Sequence, residues 1–187
     1  MDYKMRQNTF QLFFNMMNQL QQKLERELVI VETGTIRGEI RSCDGNSTVN
    51  FAEYVKHRGG TFYSIDNNTE AINYSKGILG ERDNVHVVEA MSTEFLDSFP
   101  DKIDVLYLDS ANDEHIGLAE YEAAKPKLHE HTIILIDDCL QDSAEQRKGL
   151  LSIPQMLEDG YLKILHEYQC VLSKEHPSLD AVRGVTE

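Results

Sequence analysis

The sequence predicts an α/β fold: a doubly wound, mostly parallel sheet that closes with an antiparallel hairpin. Three observations carry this expectation. Short apolar, β-branched runs at 28–31, 61–65, 85–88, 103–108 and 132–136 alternate with helical stretches, as strands buried on both faces do. Two further runs, 161–166 and 168–173, stand almost back to back; no crossover helix fits between them, so they pair antiparallel. Carboxylates follow the ends of several runs: Glu32, Asp66, Asp109 and Asp137-Asp138. In a parallel sheet those ends share one edge, where ligands bind.

Each element has its own justification. Residues 3–26 read as an amphipathic helix, with Phe10, Phe13, Phe14, Met17, Leu20 and Leu24 recurring at near-helical spacing. Such a stripe is core packing first; a lid over the site, or the interface of a homodimer, is the sharper alternative. The first strand, 28–31, ends at Glu32, and Gly34 and Gly38 let the following backbone approach a ligand where a Cβ would collide. The stretch 36–46 is polar, longer than an ordinary βα connection, and is expected to act as a flap. Asn46, Ser47 and Thr48 are N-cap candidates for a helix to about residue 58, stopped by Gly59-Gly60. The second strand ends in Asp66-Asn67-Asn68; Asp66 is placed to hold a ribose or to cap the helix starting at Thr69. A third strand closes in Glu89-Ala90-Met91-Ser92, a short helix runs over 93–98, and Pro100 marks its exit. The fourth strand ends at Asp109. A helix over about 116–128 leads by a tight turn at His129-Glu130-His131 to the fifth strand, 132–136, which ends at Asp137-Asp138. A helix over about 143–158 precedes the hairpin. No linker or repeat divides the chain, so one domain is expected: helix 1–27, core 28–173, tail 174–187.

Composition narrows the partners. The chain of 187 residues carries 18 Lys plus Arg against 32 Asp plus Glu, a formal net charge of −14. Such a chain repels phosphate backbones and anionic membranes, so neither nucleic acid nor membrane is an expected partner. Cys43, Cys139 and Cys170 are odd in number and lack metal-finger spacing, which favours a reduced, cytoplasmic setting. No apolar stretch approaches the roughly 20 residues that span a bilayer, and the polar start has no signal-peptide core. His129-Glu130-His131 suggests zinc, but the pair sits at the amino edge of the sheet without a third ligand, and the turn reading is preferred. Cys139 reads as a small buried residue.

The strand-end carboxylates suggest chemistry. Asp109, Asp137 and Asp138 are the ligand type a hard divalent ion such as Mg²⁺ prefers, and crowded carboxylates repel unless a cation neutralises them. Together, Glu32-Thr33-Gly34-Thr35, Asp66, Tyr107-Leu108-Asp109-Ser110 and Ile136-Asp137-Asp138 resemble class I S-adenosylmethionine-dependent methyltransferases. The closer likeness is to the metal-dependent O-methyltransferase branch, which includes catechol O-methyltransferase and the macrocin-type sugar O-methyltransferases. The resemblance covers about residues 28–173 and implies a Rossmann-like methyltransferase sheet. It implies that Glu32 and Gly34 line the methionine moiety of the cofactor, that Asp66 holds the ribose, that Glu89-Ala90-Met91-Ser92 borders adenine, and that Thr35, Ser47 and Asn67 belong to the same cofactor site. It also implies that Asp109 adjoins the cofactor and, with Asp137 and Asp138, ligates Mg²⁺ or another divalent ion. A metal there orients and acidifies a hydroxyl of a small-molecule acceptor, as in-line transfer from a sulfonium requires.

The chain departs from that pattern in two places. The first loop lacks a close run of glycines, and Asn112 stands where catechol-type enzymes place a lysine base. Asp113 and His115 are the candidate bases nearby, each also readable as a plain loop residue. Two other functions compete: a nicotinamide oxidoreductase, disfavoured by the missing Gly-x-Gly-x-x-Gly run, and a non-catalytic cofactor-binding homologue.

Overall fold

The computed structural model describes residues 2–39, 46–139 and 147–178. Its elements are α1 (Asp2–Leu24), β1 (Val29–Thr33), α2 (Asn46–Arg58), β2 (Thr61–Asp66), α3 (Thr69–Leu79), β3 (Val85–Glu89), α4 (Ser92–Ser98), β4 (Ile103–Leu108), α5 (Glu114–Ala124), β5 (Leu128–Ile136), α6 (Gly149–Glu158), β6 (Leu162–His166) and β7 (Cys170–Ser173). One seven-stranded sheet has the order β3-β2-β1-β4-β5-β7-β6. The first five strands pair in parallel, and β7 runs antiparallel to both β5 and β6. Strand order reverses between β1 and β4, so the connections leaving those strands diverge and open a crevice at the carboxyl edge.

Period-two alternation divides each buried strand between two cores. Ile30, Phe62, Val105, Tyr107, Leu135 and Val171 face α1 and α2. Val31, Ile65, Leu106, Leu108, Ile134 and Leu172 face α4, α5 and α6. The stripe on α1 lies in the first core: Leu12, Phe13, Met16, Met17 and Leu20 are buried against α2 and the sheet. Core packing, the first reading of that helix, accounts for its apolar face.

Three local expectations change. β1 does not stop at Glu32; Glu32 pairs in register with Ser64 and Tyr107, and the strand continues through Thr33. A carboxyl group is tolerated inside the strand because the Thr48 and Ser64 hydroxyls each donate to it at 2.8 Å. His129-Glu130-His131 is not a tight turn but the first part of β5, which begins at Leu128 behind a 3₁₀ turn at Lys125–Lys127. The register against β4 shifts between Ile103 and Val105, and this irregularity absorbs the extra residues. The rings there have structural partners: His129 Nε2 lies 2.8 Å from Asp104 and His131 Nδ1 3.1 Å from Glu175. Finally, Ile36 is buried rather than part of a polar flap, its N–H donating to the Thr48 hydroxyl. Arg37, Gly38 and Glu39 of the expected flap line the cavity at the carboxyl edge, while residues 40–45, Cys43 among them, the first part of the helix expected over 143–158, and the tail beyond residue 178 lie outside the described residues.

At the amino edge Asp104 is fully buried. It accepts both arms of Arg26 at 2.7 Å, the Val29 N–H at 2.7 Å and His129, clamping the exit of α1 to β1 and β4.

Candidate functional site

The crevice begins at Glu32. Its side chain is completely enclosed, and burial pushes its pKa up to about 8 despite donation from Ser47, Ser64 and Thr48. Ser47 and Thr48, expected as caps of α2, therefore direct their hydroxyls to this carboxyl. After Thr33 the chain turns through Gly34 at φ +86°, a left-handed conformation glycine adopts without strain. A Cβ there would lie 2.3 Å from the carbonyl oxygen of Asp109. The close approach that requires this glycine is thus to the β4 exit, not only to a ligand.

Asp66 closes β2 and accepts the N–H groups of Thr35 at 3.3 Å and Asn68 at 2.9 Å. It is not the cap of α3; the Asn68 side chain takes that role by accepting from the Ala71 N–H. The Ala90 N–H reaches the Asp66 carbonyl at 3.0 Å, and the Asn67 amide contacts the sulfur of Met91, which is half exposed. Thr35, Asp66, Asn67, Ala90 and Met91 therefore form one continuous rim on the β1–β2–β3 side. Ser92 opens α4 and, with Thr33, donates toward the buried Glu120, whose carboxyl is raised in pKa by desolvation.

On the other side of the crevice Asp109 follows β4, and Asp137 and Asp138 follow β5. One carboxylate oxygen from each lies within 4.8 Å of the others. Asp138 holds a left-handed backbone at φ 50°, a conformation that Asp tolerates better than most residues. Asp137 is buried, and its Oδ1 has no hydrogen-bond partner among the described residues. Burial, then the proximity of Asp109, raises the Asp137 pKa above the carboxylate range. A cavity of about 440 Å³ joins the two sides, lined by Glu32, Thr35 and Ser47 on one and Asp109, Asp137 and Asp138 on the other.

Two cations that sequence reasoning missed complete the cluster. Lys148, fully buried, donates to Asp109 Oδ1 at 2.8 Å and lies 3.9 Å from Asp138. Arg6, on α1, reaches Asp137 at 3.0 Å and Asp138 at 3.3 Å, with its guanidinium 4.2 Å from the centre of the Tyr168 ring. Burial opposes charge on both, but Asp137 and the Tyr168 hydroxyl outweigh it at Arg6 and the three aspartates at Lys148, so both pKa values lie above their ordinary positions. No sequence signal marked Lys148, which lies inside the helix expected over 143–158; the structure starts α6 only at Gly149 and leaves Lys148 just ahead of it, facing the aspartates. The base candidates are not brought into the cavity. Asp113 caps α5, accepting the His115 and Ile116 N–H groups at 2.8 and 3.1 Å, and those bonds hold its pKa down. His115 is exposed on the first turn of α5.

A doubly wound sheet with a switch-point crevice, an acid after β2 and a carboxylate trio after β4 and β5 has the layout in which open α/β sheets bind their ligands. The family model described as a methyltransferase domain matches residues 39–139, and the chain belongs to that family of enzymes. No curated protein sequence matches it significantly. Among solved structures it is similar to CalS11, a calicheamicin methyltransferase described as a TDP-rhamnose 3'-O-methyltransferase. That match has 15% identity, covers 92% of this chain and 80% of the other, and has a TM-score of 0.65. The methyltransferase PaMTH1 of Podospora anserina, solved with S-adenosylhomocysteine, matches at 14% identity over 90% and 78%, TM-score 0.63. MycE, of the mycinamycin pathway, was solved with Mg, S-adenosylhomocysteine and mycinamycin VI. It matches at 12% identity over 85% and 47%, TM-score 0.58. At these identities the likeness is one of fold.

Proposed function

We propose that the protein transfers the methyl group of S-adenosylmethionine to a hydroxyl oxygen of a small acceptor, assisted by a divalent cation. The observation that carries this reading is the convergence of Asp109, Asp137 and Asp138 on a cavity whose opposite wall is Glu32, Thr35 and Ser47. The residues fit both groups. Glu32, enclosed and largely neutral, accepts the ammonium of a methionine moiety and ionises as it does so. Asp66, at the end of β2, accepts ribose hydroxyls, and Asn67 with Met91 offers a partly apolar shelf for adenine. For a metal, the donors are all oxygen and the buried, unpartnered Asp137 Oδ1 supplies an open ligand position. When bound, Mg²⁺ supplies a Lewis acid that orients the acceptor hydroxyl and lowers its pKa.

The chain's own part is placement. Gly34 keeps the β1 loop against Asp109, which sets the distance between the cofactor wall and the carboxylate wall. The aspartates hold the acceptor oxygen on the far side of the cavity from Glu32, so that it meets the methyl group in line. The test is incubation of the protein with methyl-labelled S-adenosylmethionine and a panel of small sugars and phenols, with Mg²⁺ or with chelator. Label on an acceptor oxygen, lost with chelator, is expected. Label on nitrogen or carbon, or transfer indifferent to chelator, contradicts the respective part of the reading.

A further inference from the structure

We infer that Arg6 is a displaceable counter-ion of the three-aspartate site: it holds the place of a divalent cation and leaves when one binds, freeing the first turns of α1. The inference rests on the metal-assisted reading above. Charge balance is its basis. With all three carboxyls ionised, as metal ligation requires, Asp109, Asp137 and Asp138 bring three negative charges against the two positive ones of Arg6 and Lys148, and one buried Asp137 oxygen has no partner among the described residues. A divalent ion raises the positive count to four against three, so one resident cation becomes surplus. Like charges held a few ångströms apart in a partly buried site repel strongly, and the surplus one is expelled if it can move.

The two cations differ in their freedom to move. Lys148 has no exposed side-chain surface. Its main chain lies against α5, where Gly117 leaves room: a Cβ there would come 2.5 Å from the Lys148 carbonyl oxygen. Its ammonium is enclosed and held by Asp109 and Asp138. Arg6 is partly exposed, at 15% of its side chain, and stands about one turn from the start of α1. The residues that anchor α1 in the core begin further along, with the buried Thr9 and with Phe10, whose ring packs against Tyr107. Arg6 can therefore swing out while the helix stays docked. Its guanidinium bridges Asp137 and Asp138, so its departure opens two of the three donors at once.

The experiment is calorimetric titration of Mg²⁺ into the full chain, with S-adenosylhomocysteine present, for wild type, Arg6→Ala and Arg6→Lys. Amide exchange over residues 3–9 is followed with and without Mg²⁺. Arg6→Ala should bind Mg²⁺ roughly tenfold or more tightly than wild type, because a competing positive charge is gone. Arg6→Lys, which keeps the charge, should remain near wild type. Exchange over residues 3–9 should quicken in wild type on Mg²⁺ addition, and should already be quick in Arg6→Ala. Uptake by Arg6→Ala but not by wild type overturns the displacement, since Arg6 then excludes the ion instead of yielding to it. Wild-type uptake with no gain in Arg6→Ala, or with unchanged exchange, overturns the inference and leaves the metal reading intact. If none of the three proteins takes up Mg²⁺, the metal reading itself fails and the inference falls with it.

Discussion

Glu32 concentrates the chemistry of the site in one residue. A carboxyl buried inside a strand, with a pKa pushed up to about 8, is mostly protonated at neutral pH. The sign follows from that. Its folded pKa lies above the unfolded value, so its contribution to stability is complete at acid pH and is lost as pH rises through about 8. An ammonium brought alongside favours the ionised form and reverses the shift. Binding of S-adenosylhomocysteine near pH 7 should therefore release up to one proton, and the release should fade above about pH 9. Calorimetry in buffers of different ionisation enthalpy measures it. Glu32→Gln should abolish the release, and a wild-type complex that forms with no proton exchange would remove Glu32 from the ammonium contact. The residue was legible as a strand-end acid, but its burial was not. That depends on Ser64 and Thr48, one brought by the β1–β2 pairing and the other by α2. Lys148 was missed for a related reason. It ends a polar stretch with no period, and only the convergence of β4, β5 and α6 explains a lysine there.

At the level of elements, the two edges of the sheet separate function from stability. At the carboxyl edge, Gly34→Ala forces a side chain into a left-handed turn and against the Asp109 carbonyl. Strain and overpacking together should cost about 2–5 kcal/mol. The variant should melt lower and also bind S-adenosylhomocysteine more weakly, because the displaced groups belong to both walls of the cavity. A wild-type melting temperature would mean that the β4 exit yields freely. At the amino edge, Asp104→Ala removes the clamp between α1, β1 and β5. Burial opposes the Asp104 charge, but His129 and Arg26 outweigh it and hold the pKa below the usual range. Because Arg26 is half in water, the loss should be about 2–3 kcal/mol rather than the 3–5 of a fully enclosed pair. For a chain of this size that is a fall of about 4–12 °C in Tm, with cofactor affinity unchanged. The difference should narrow as pH falls through the Asp104 pKa, since protonation discharges the wild-type clamp as well. Equal melting temperatures at pH 7 would contradict this assignment. Boundaries here were legible wherever a single period governs, as in α1 and β4. At residues 128–132 two periods compete, and the register shift against β4 let the strand start four residues early.

Over the whole molecule, alternation of strands and helices with a closing hairpin was enough to predict the sheet, because buried parallel strands cannot hide their apolar runs. The meeting of Glu32 and the three aspartates on one cavity followed from topology alone, with Asp66 beside it through the Thr35 N–H rather than in its lining. Their counter-ions did not, since Arg6 and Lys148 arrive from opposite ends of the chain and only the folded cluster shows why they are there. No helix among the described residues is long and apolar enough to cross a membrane. The central claim is that a cofactor lies across the switch point, with its methyl donor facing the carboxylates. The most direct test is a crystal structure of the protein with S-adenosylhomocysteine and Mg²⁺. The account predicts ribose hydroxyls on Asp66, the methionine ammonium on Glu32, and the sulfur facing Asp109, Asp137 and Asp138 across the cavity. A cofactor bound with Asp66 and Glu32 untouched, or with its sulfur turned away from the three aspartates, would contradict it.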